Sequence, residues 1–175
     1  MSWVALLVAA LGVTTGIVTE EATTVSGRCP DGRVWTTSVA GQGQMLGVLN
    51  EVRADAARLP LLRHVTLDRM ALTHSIDMAC RDYFDHRTPE RRGISEKLQR
   101  VADGQPPDWA RLAEVIGTSD SPNRQVERWL DSQPHRRALL EDQHASVGIG
   151  FVRIAGSRYP TYWTVEFMTE RRAAR

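Results

Sequence analysis

Cysteine is scarce in this chain, with Cys29 and Cys80 alone, and lysine is scarcer still, with Lys97 alone. Aromatic residues make up 6% of the 175 residues, and the formal net charge is only +1. So small a charge gives no reason to expect a nucleic acid or other polyanion as partner. The basic residues are otherwise arginine, a bias we read as compositional. A Gly-x-Ser-x-Gly nucleophile elbow is absent, and so is a glycine loop of the phosphate-cradling kind. No charged residue occurs before Glu20, and no cysteine follows the first apolar run at the distance lipoprotein processing needs. What is present is globular in character: 42% hydrophobic and 25% charged residues, enough for one domain with short extensions.

The run Trp3–Val13 has the length of a signal-peptide core but lacks a basic segment before it. We expect residues 1–19 to be a signal peptide or an uncleaved membrane anchor. The span Trp3–Val18 is short for an anchor and is broken by Gly12, Thr14, Thr15 and Gly16. A cytosolic chain, or a start placed too far downstream, is the remaining alternative. Export would make the compartment extracytoplasmic, either secreted or periplasmic, with membrane contact only through that anchor. In that setting two cysteines permit one disulfide, Cys29–Cys80, tying the segment before the domain to its second helix. Two unpaired thiols are the alternative.

Residues 20–43 read as a linker of Thr, Ser and Gly, with one short strand near Val34–Thr37. Residues 44–58 carry Leu46, Leu49, Val52 and Ala56 at helical spacing, and Pro60 ends that helix. Thr66 is the expected cap of a second helix, whose inner face holds Leu67, Met70, Ala71, His74 and Met78. A short helix is predicted over 94–101 and a strand over Leu112–Ile116. Ser121-Pro122 is a favoured helix start. Pro134 interrupts that helix, and a turn follows to Leu140. Alternating and continuous apolar residues from Val147 to Ile154, a Gly156-Ser157 turn and a returning Tyr159–Met168 segment predict a closing β-hairpin. Residues 169–175 read as a basic tail. Helices first and a hairpin last argue for an α+β domain.

Six motifs occur in one order: Leu49-Asn50-Glu51-Val52-Arg53; the stretch from Ala71 to Ala79 around His74; Tyr83-Phe84-Asp85-His86-Arg87-Thr88-Pro89; Ala113-Glu114-Val115-Ile116-Gly117; Trp129 with Ser132, His135 and Arg136; and Val147-Gly148-Ile149-Gly150 with Tyr162-Trp163-Thr164. In this order they resemble the bacterial, SCP-like branch of the CAP superfamily (cysteine-rich secretory, antigen 5 and pathogenesis-related 1 proteins). The resemblance covers about residues 44–168. It implies a three-layer α-β-α sandwich with an antiparallel sheet and a central cleft. Eukaryotic members of the superfamily often place two His and two Glu in that cleft. Only His86 and Glu114 match here, because Ser132 and Tyr162 stand at the other two aligned positions.

The expected cleft residues are therefore His86, Glu114, His135, Ser132 and Tyr162. A paired imidazole and carboxylate can bind a polar ligand or move a proton, or can simply be structural. His86, Glu114 and His135 would also make a His, His, Glu set with an open position for water, as zinc hydrolases use. They lack the short helical pair that makes zinc sites specific in sequence. His74 is expected in the core, Arg53 and Asp77 in structural pairs, and Trp129 and Trp163 in the core with bonded N–H groups. The leading expectation is a non-enzymatic exported module binding a small-molecule, lipid or protein ligand. The alternative is a metal-assisted hydrolase acting on peptide or cell-envelope material, with zinc as its cofactor.

Overall fold

The end of the chain builds the centre of the sheet. In the computed structural model, which describes residues 24–102 and 105–171, the elements in chain order are β1 (Thr24–Arg28), β2 (Val34–Ser38), α1 (Val39–Asp55), β3 (Leu62–Arg63), α2 (Val65–Arg81), α3 (Ile94–Val101), β4 (Trp109–Gly117), α4 (Pro122–Leu130), α5 (Gln133–Leu140), β5 (Ser146–Ile154) and β6 (Thr161–Glu170). The sheet runs β1-β2-β5-β6-β4, antiparallel throughout, with two-residue β3 added in parallel to β5. Helices cover both faces, which is the expected α-β-α sandwich.

Strand β6 is buried from Thr161 to Met168 because both faces are covered. Trp163, Val165 and Phe167 point to one face and pack with Met45, Leu49, Val126, Trp129 and Leu139 of α1, α4 and α5. On the other face Thr164 accepts from Ser75 of α2 at 2.9 Å, and Met168 packs with Leu67, Met70 and Leu98. Helix α2 can lie this close only because β5 reads Gly148-x-Gly150. A Cβ at Gly148 would stand 2.0 Å from the carbonyl carbon of Leu67, and one at Gly150 would stand 2.3 Å from that of Ala71. Both indoles are in the core with bonded N–H groups: Trp129 donates to Ile116 O at 2.8 Å and Trp163 to Ser119 O at 2.7 Å.

Several boundaries differ from the sequence reading. The expected linker 20–43 is, from Thr24, a β-hairpin joined to the sheet through Trp35↔Ile154 and Thr36↔Arg153. Its Thr- and Ser-rich composition hid it, since an edge hairpin buries little. Helix α1 starts at Val39, capped by Ser38, and its inner stripe is Gln42, Met45, Leu49 and Arg53. That stripe is offset from the expected one because it contains two polar residues. Arg53 is fully buried and meets no carboxylate among the described residues: it donates to the carbonyls of Leu59, Leu139, Glu141 and His144 at 2.7–3.2 Å. The cap of α2 is His64, whose Nδ1 accepts from Thr66 N at 3.3 Å, rather than Thr66. The segment Gln133–Leu140, expected as a turn after Pro134, is an eight-residue helix with that proline in its first turn, where no N–H is needed. Strand β6 runs on to Glu170, into the expected tail. Cys29 and Cys80 form a disulfide, Cα–Cα 5.3 Å, which ties the β1–β2 turn to the end of α2. The expected signal peptide or anchor at 1–19 lies outside the described residues, as do 172–175 of the tail. Among the described residues no helix is long and apolar enough to cross a membrane.

Candidate functional site

Four separate elements bring one polar cluster together. The loop after α2 carries His86, α3 carries Lys97, edge strand β4 carries Glu114, and central strand β6 carries Glu166. The two acids are direct cross-strand partners in the β4–β6 register, so their side chains share one face. Glu114 is the hub. Its Oε1 accepts from His86 Nδ1 at 2.9 Å, and its Oε2 accepts from Lys97 Nζ. A carboxylate only accepts, so Nδ1 of His86 carries the proton and Nε2 is left without a protein partner among the described residues. Lys97 Nζ also donates to His86 O at 3.0 Å and lies 3.9 Å from Glu166 Oε1.

Burial divides these groups. The side chains of Glu166, Glu114 and Lys97 are 0%, 5% and 7% exposed, whereas that of His86 is 51% exposed. Burial, then the neighbouring Glu114 charge, pushes the Glu166 carboxyl well above the usual carboxylate range. Neither Glu166 oxygen receives a hydrogen bond from any described group. The two facts agree if Glu166 keeps its proton and donates it to Glu114, and that is the state we assign. Burial pushes Glu114 up as well. Hydrogen bonds from His86 and Glu166 and the nearby His74 and Lys97 outweigh that push and hold it low. The cluster is thus one carboxylate, one carboxylic acid and one ammonium.

His74 of α2 stands behind Glu114. Its Nε2 donates to Asp85 O at 3.1 Å and lies 3.8 Å from Glu114 Oε1. Burial first, with Lys97 adding to it, lowers its pKa to about 4 against the pull of Glu114, so it is a neutral core histidine. Asp77 accepts from Arg81, one helical turn on, and from the Tyr83 hydroxyl, as a structural pair should. A groove of about 520 Å³ opens in front of the cluster, lined by His86, Arg87, Ile94, Ser95, Leu112 and Glu114 among others. A second cavity of about 370 Å³, between α2, α3 and the 88–92 loop, backs onto the same cluster through His74 and Lys97.

Of the residues expected in the cleft, His86 and Glu114 meet. His135, on α5, is half-buried and within electrostatic reach of His86; burial first and that charge second lower its pKa. Ser132 and Tyr162 are placed elsewhere. Ser132 is the cap residue of α5 and lines neither cavity. Tyr162 is fully buried, with its hydroxyl bonded to Ser157 Oγ at 2.8 Å inside the β5–β6 turn. It shares a sheet face with Glu166 but stands four residues, about 13 Å, along the strand. Among the described residues no group of three or more His, Cys, Asp or Glu side chains is placed to hold a metal ion. His86, Glu114 and His135 therefore do not fit zinc as a ligand set, because His86 and Lys97 already engage the Glu114 oxygens. Lys97 and Glu166 were not anticipated. Their signals were a sole lysine in an arginine-rich chain and an acid inside the apolar run Tyr162–Met168.

Residues 46–167 match the sequence pattern of the cysteine-rich secretory protein family, CAP. The chain belongs to the CAP family. The chain is 27% identical over 140 residues to the YkwD protein of Bacillus subtilis (strain 168), covering 74% of this chain and 47% of that protein. The chain thus spans about half the length of that relative. Among solved structures, the CAP fold matches an extracellular SCP-domain protein from Bacillus anthracis str. Ames, with TM-score 0.63, 24% identity, and coverage of 75% of this chain and 41% of that one. It also matches an outer surface protein of Borrelia burgdorferi, with TM-score 0.67, 16% identity, and coverage of 76% and 95%.

Proposed function

We propose that this CAP domain is an extracytoplasmic, non-enzymatic module that binds a polar ligand in the groove before His86 and Glu114. The observation that carries the reading is the state of His86. Its ring is half-exposed at the groove, one nitrogen is fixed by a buried carboxylate, and the other has no protein partner among the described residues. A side chain oriented on one side and open on the other is prepared to meet a ligand. The disulfide suits an oxidising compartment, and the structural neighbours are described as extracellular and outer-surface proteins.

His86 is the position to test, since removing Glu114 would also strand Lys97. The experiment is a titration of isotope-labelled protein with a fragment library of small acids, amines, amides and short peptides. Binding fragments should shift amide resonances at 86–87, 93–96 and 112–114. His86→Ala should keep the folded spectrum and lose those shifts. Fragments that bind only elsewhere, or equally well to His86→Ala, would remove the reading.

A further inference from the structure

The polar cluster contains an arrangement that the ligand-binding reading does not use. Two carboxyl groups on adjacent strands and the carbonyl of His86 surround one point, and that point is occupied by Lys97 Nζ. Oxygen groups gathered in this way are the usual surroundings of a cation. One of them, Glu166, is fully buried and receives no hydrogen bond from its neighbours. The pair buries one charge and one acid whose own hydrogen bond goes to Glu114, a costly arrangement unless that charge is compensated, and among the described residues the only cation directed at Glu166 is the lysine ammonium, at 3.9 Å. Helix α3 delivers that ammonium from the side: its inner residues are Lys97 and Leu98, and its exposed end carries Arg100.

We propose that the Glu114–Glu166 pair forms a cation site that Lys97 fills permanently, so that the cleft is closed to metal ions and works without one. Lys97 is then a specificity-determining residue. It balances the single negative charge of the acid pair from within the chain, and a ligand in the groove meets His86 and a neutralised pair instead of a Lewis acid. This inference stands whether or not the groove binds a ligand, because it concerns the wall and not the opening.

The test removes the tether and supplies the cation. The 175-residue chain, stripped with chelator, is titrated calorimetrically with zinc chloride, and the wild type should show no one-to-one uptake below about 100 μM. Lys97→Ala should melt at least 5 °C lower, and ethylammonium chloride, one carbon shorter than the deleted chain end and so able to fit the space it leaves, should recover most of that loss in a saturable way. Equal sodium chloride should not, and the wild type should not respond. In Lys97→Ala/Glu166→Gln the ethylammonium response should fall at least threefold. If Lys97→Ala does not fold alone, ethylammonium should restore its folded spectrum. Several results would overturn the proposal: stoichiometric zinc uptake by the wild type that His86→Ala or Glu114→Gln abolishes; a Lys97→Ala protein as stable as wild type; or a destabilised one, folded or not, that ethylammonium fails to help.

Discussion

Replacing Glu114 by Gln removes the charge nearest Lys97, yet the protein has a reserve. Glu166 lies 3.9 Å from the same ammonium, close enough for an attraction of about 4 kcal/mol at an effective dielectric constant of about 20. With Glu114 neutral, the repulsion that adds to burial in keeping Glu166 protonated is gone and an unpaired Lys97 ammonium faces it, so Glu166 gives up its proton and takes over the pairing. Glu114→Gln should therefore cost only about 1–2 kcal/mol. Glu166→Gln should cost under about 1 kcal/mol, since the amide still donates to Glu114. The double variant leaves a buried ammonium with no counter-charge, and breaking a buried pair in that way costs about 3–5 kcal/mol. The cycle should show the double variant less stable than the sum of the singles by about 2 kcal/mol, well beyond the scatter expected of independent sites. Urea denaturation near neutral pH measures it, provided the slope with denaturant is the same in all four proteins. Additivity within about 0.5 kcal/mol would refute the shared-charge account.

Other perturbations follow from the fold. Gly148→Ala and Gly150→Ala place a Cβ 2.0 and 2.3 Å from the backbone of α2, so the helix must retreat by more than about 1 Å to reach carbon contact distance; we expect a loss of about 3 kcal/mol or more in urea titrations, and a loss under 1 kcal/mol would contradict the packing. His74 stays neutral in the fold to about pH 4, whereas free histidine charges near 6.5. The unfolded chain therefore binds more protons in that window, and stability falls as pH drops from about 6.5 to 4, by up to about 3 kcal/mol for this residue. His74→Gln should flatten the fall in midpoint, leaving the part due to His144, which burial also holds at about 4; an unchanged slope would be contrary evidence. Cys29→Ser opens a disulfide closing a sequence separation of 51, which should cost about 4 kcal/mol or less by chain entropy, and the wild type under reductant should melt at the variant's temperature.

The parts of the fold that were legible in the sequence are those where burial is written in one kind of residue. The β5–β6 hairpin is apolar almost without interruption, and α4 begins at an unambiguous Ser-Pro cap. The hairpin over 24–38 gave a weak signal because it is an edge: Val25 and Val34 are exposed, and its alternation is carried by Thr and Ser. Helix α1 misled by register, because Gln42 and Arg53 occupy core positions that hydrophobicity assigns to solvent. Arg53 can sit there only because four carbonyls converge on it, one from Leu59 just after α1 and three from the end of α5 and the loop beyond it, and those three leave no local trace. The site divides in the same way. His86 and Glu114 stand in motifs and could be paired by resemblance. Lys97 and Glu166 belong to none: the β4–β6 register sets Glu166 beside Glu114, and the packing of α3 brings Lys97 to them.

That register also explains why Glu166 is so deeply buried. In the sheet Glu166 lies between Glu114 on β4 and Gly148 on β5. A side chain at position 148 would point to the same face as Glu166 and hold α2 away from it. Glycine lets the backbone of Leu67 come down onto the strand, and the helix so placed closes the space over the acid. Met168 and Thr164, two residues to either side on β6, complete the wall by packing on α2 and α3 and by bonding Ser75. The absence of a side chain on one strand thus excludes water from a carboxyl on the next. Water exclusion keeps that carboxyl protonated, and a neutral Glu166 allows Lys97 to serve Glu114 alone. Glu114, its charge balanced from behind, is then free to orient the one exposed ring of the cluster, His86. The chemistry offered to the groove is in this sense set by how closely α2 approaches β5.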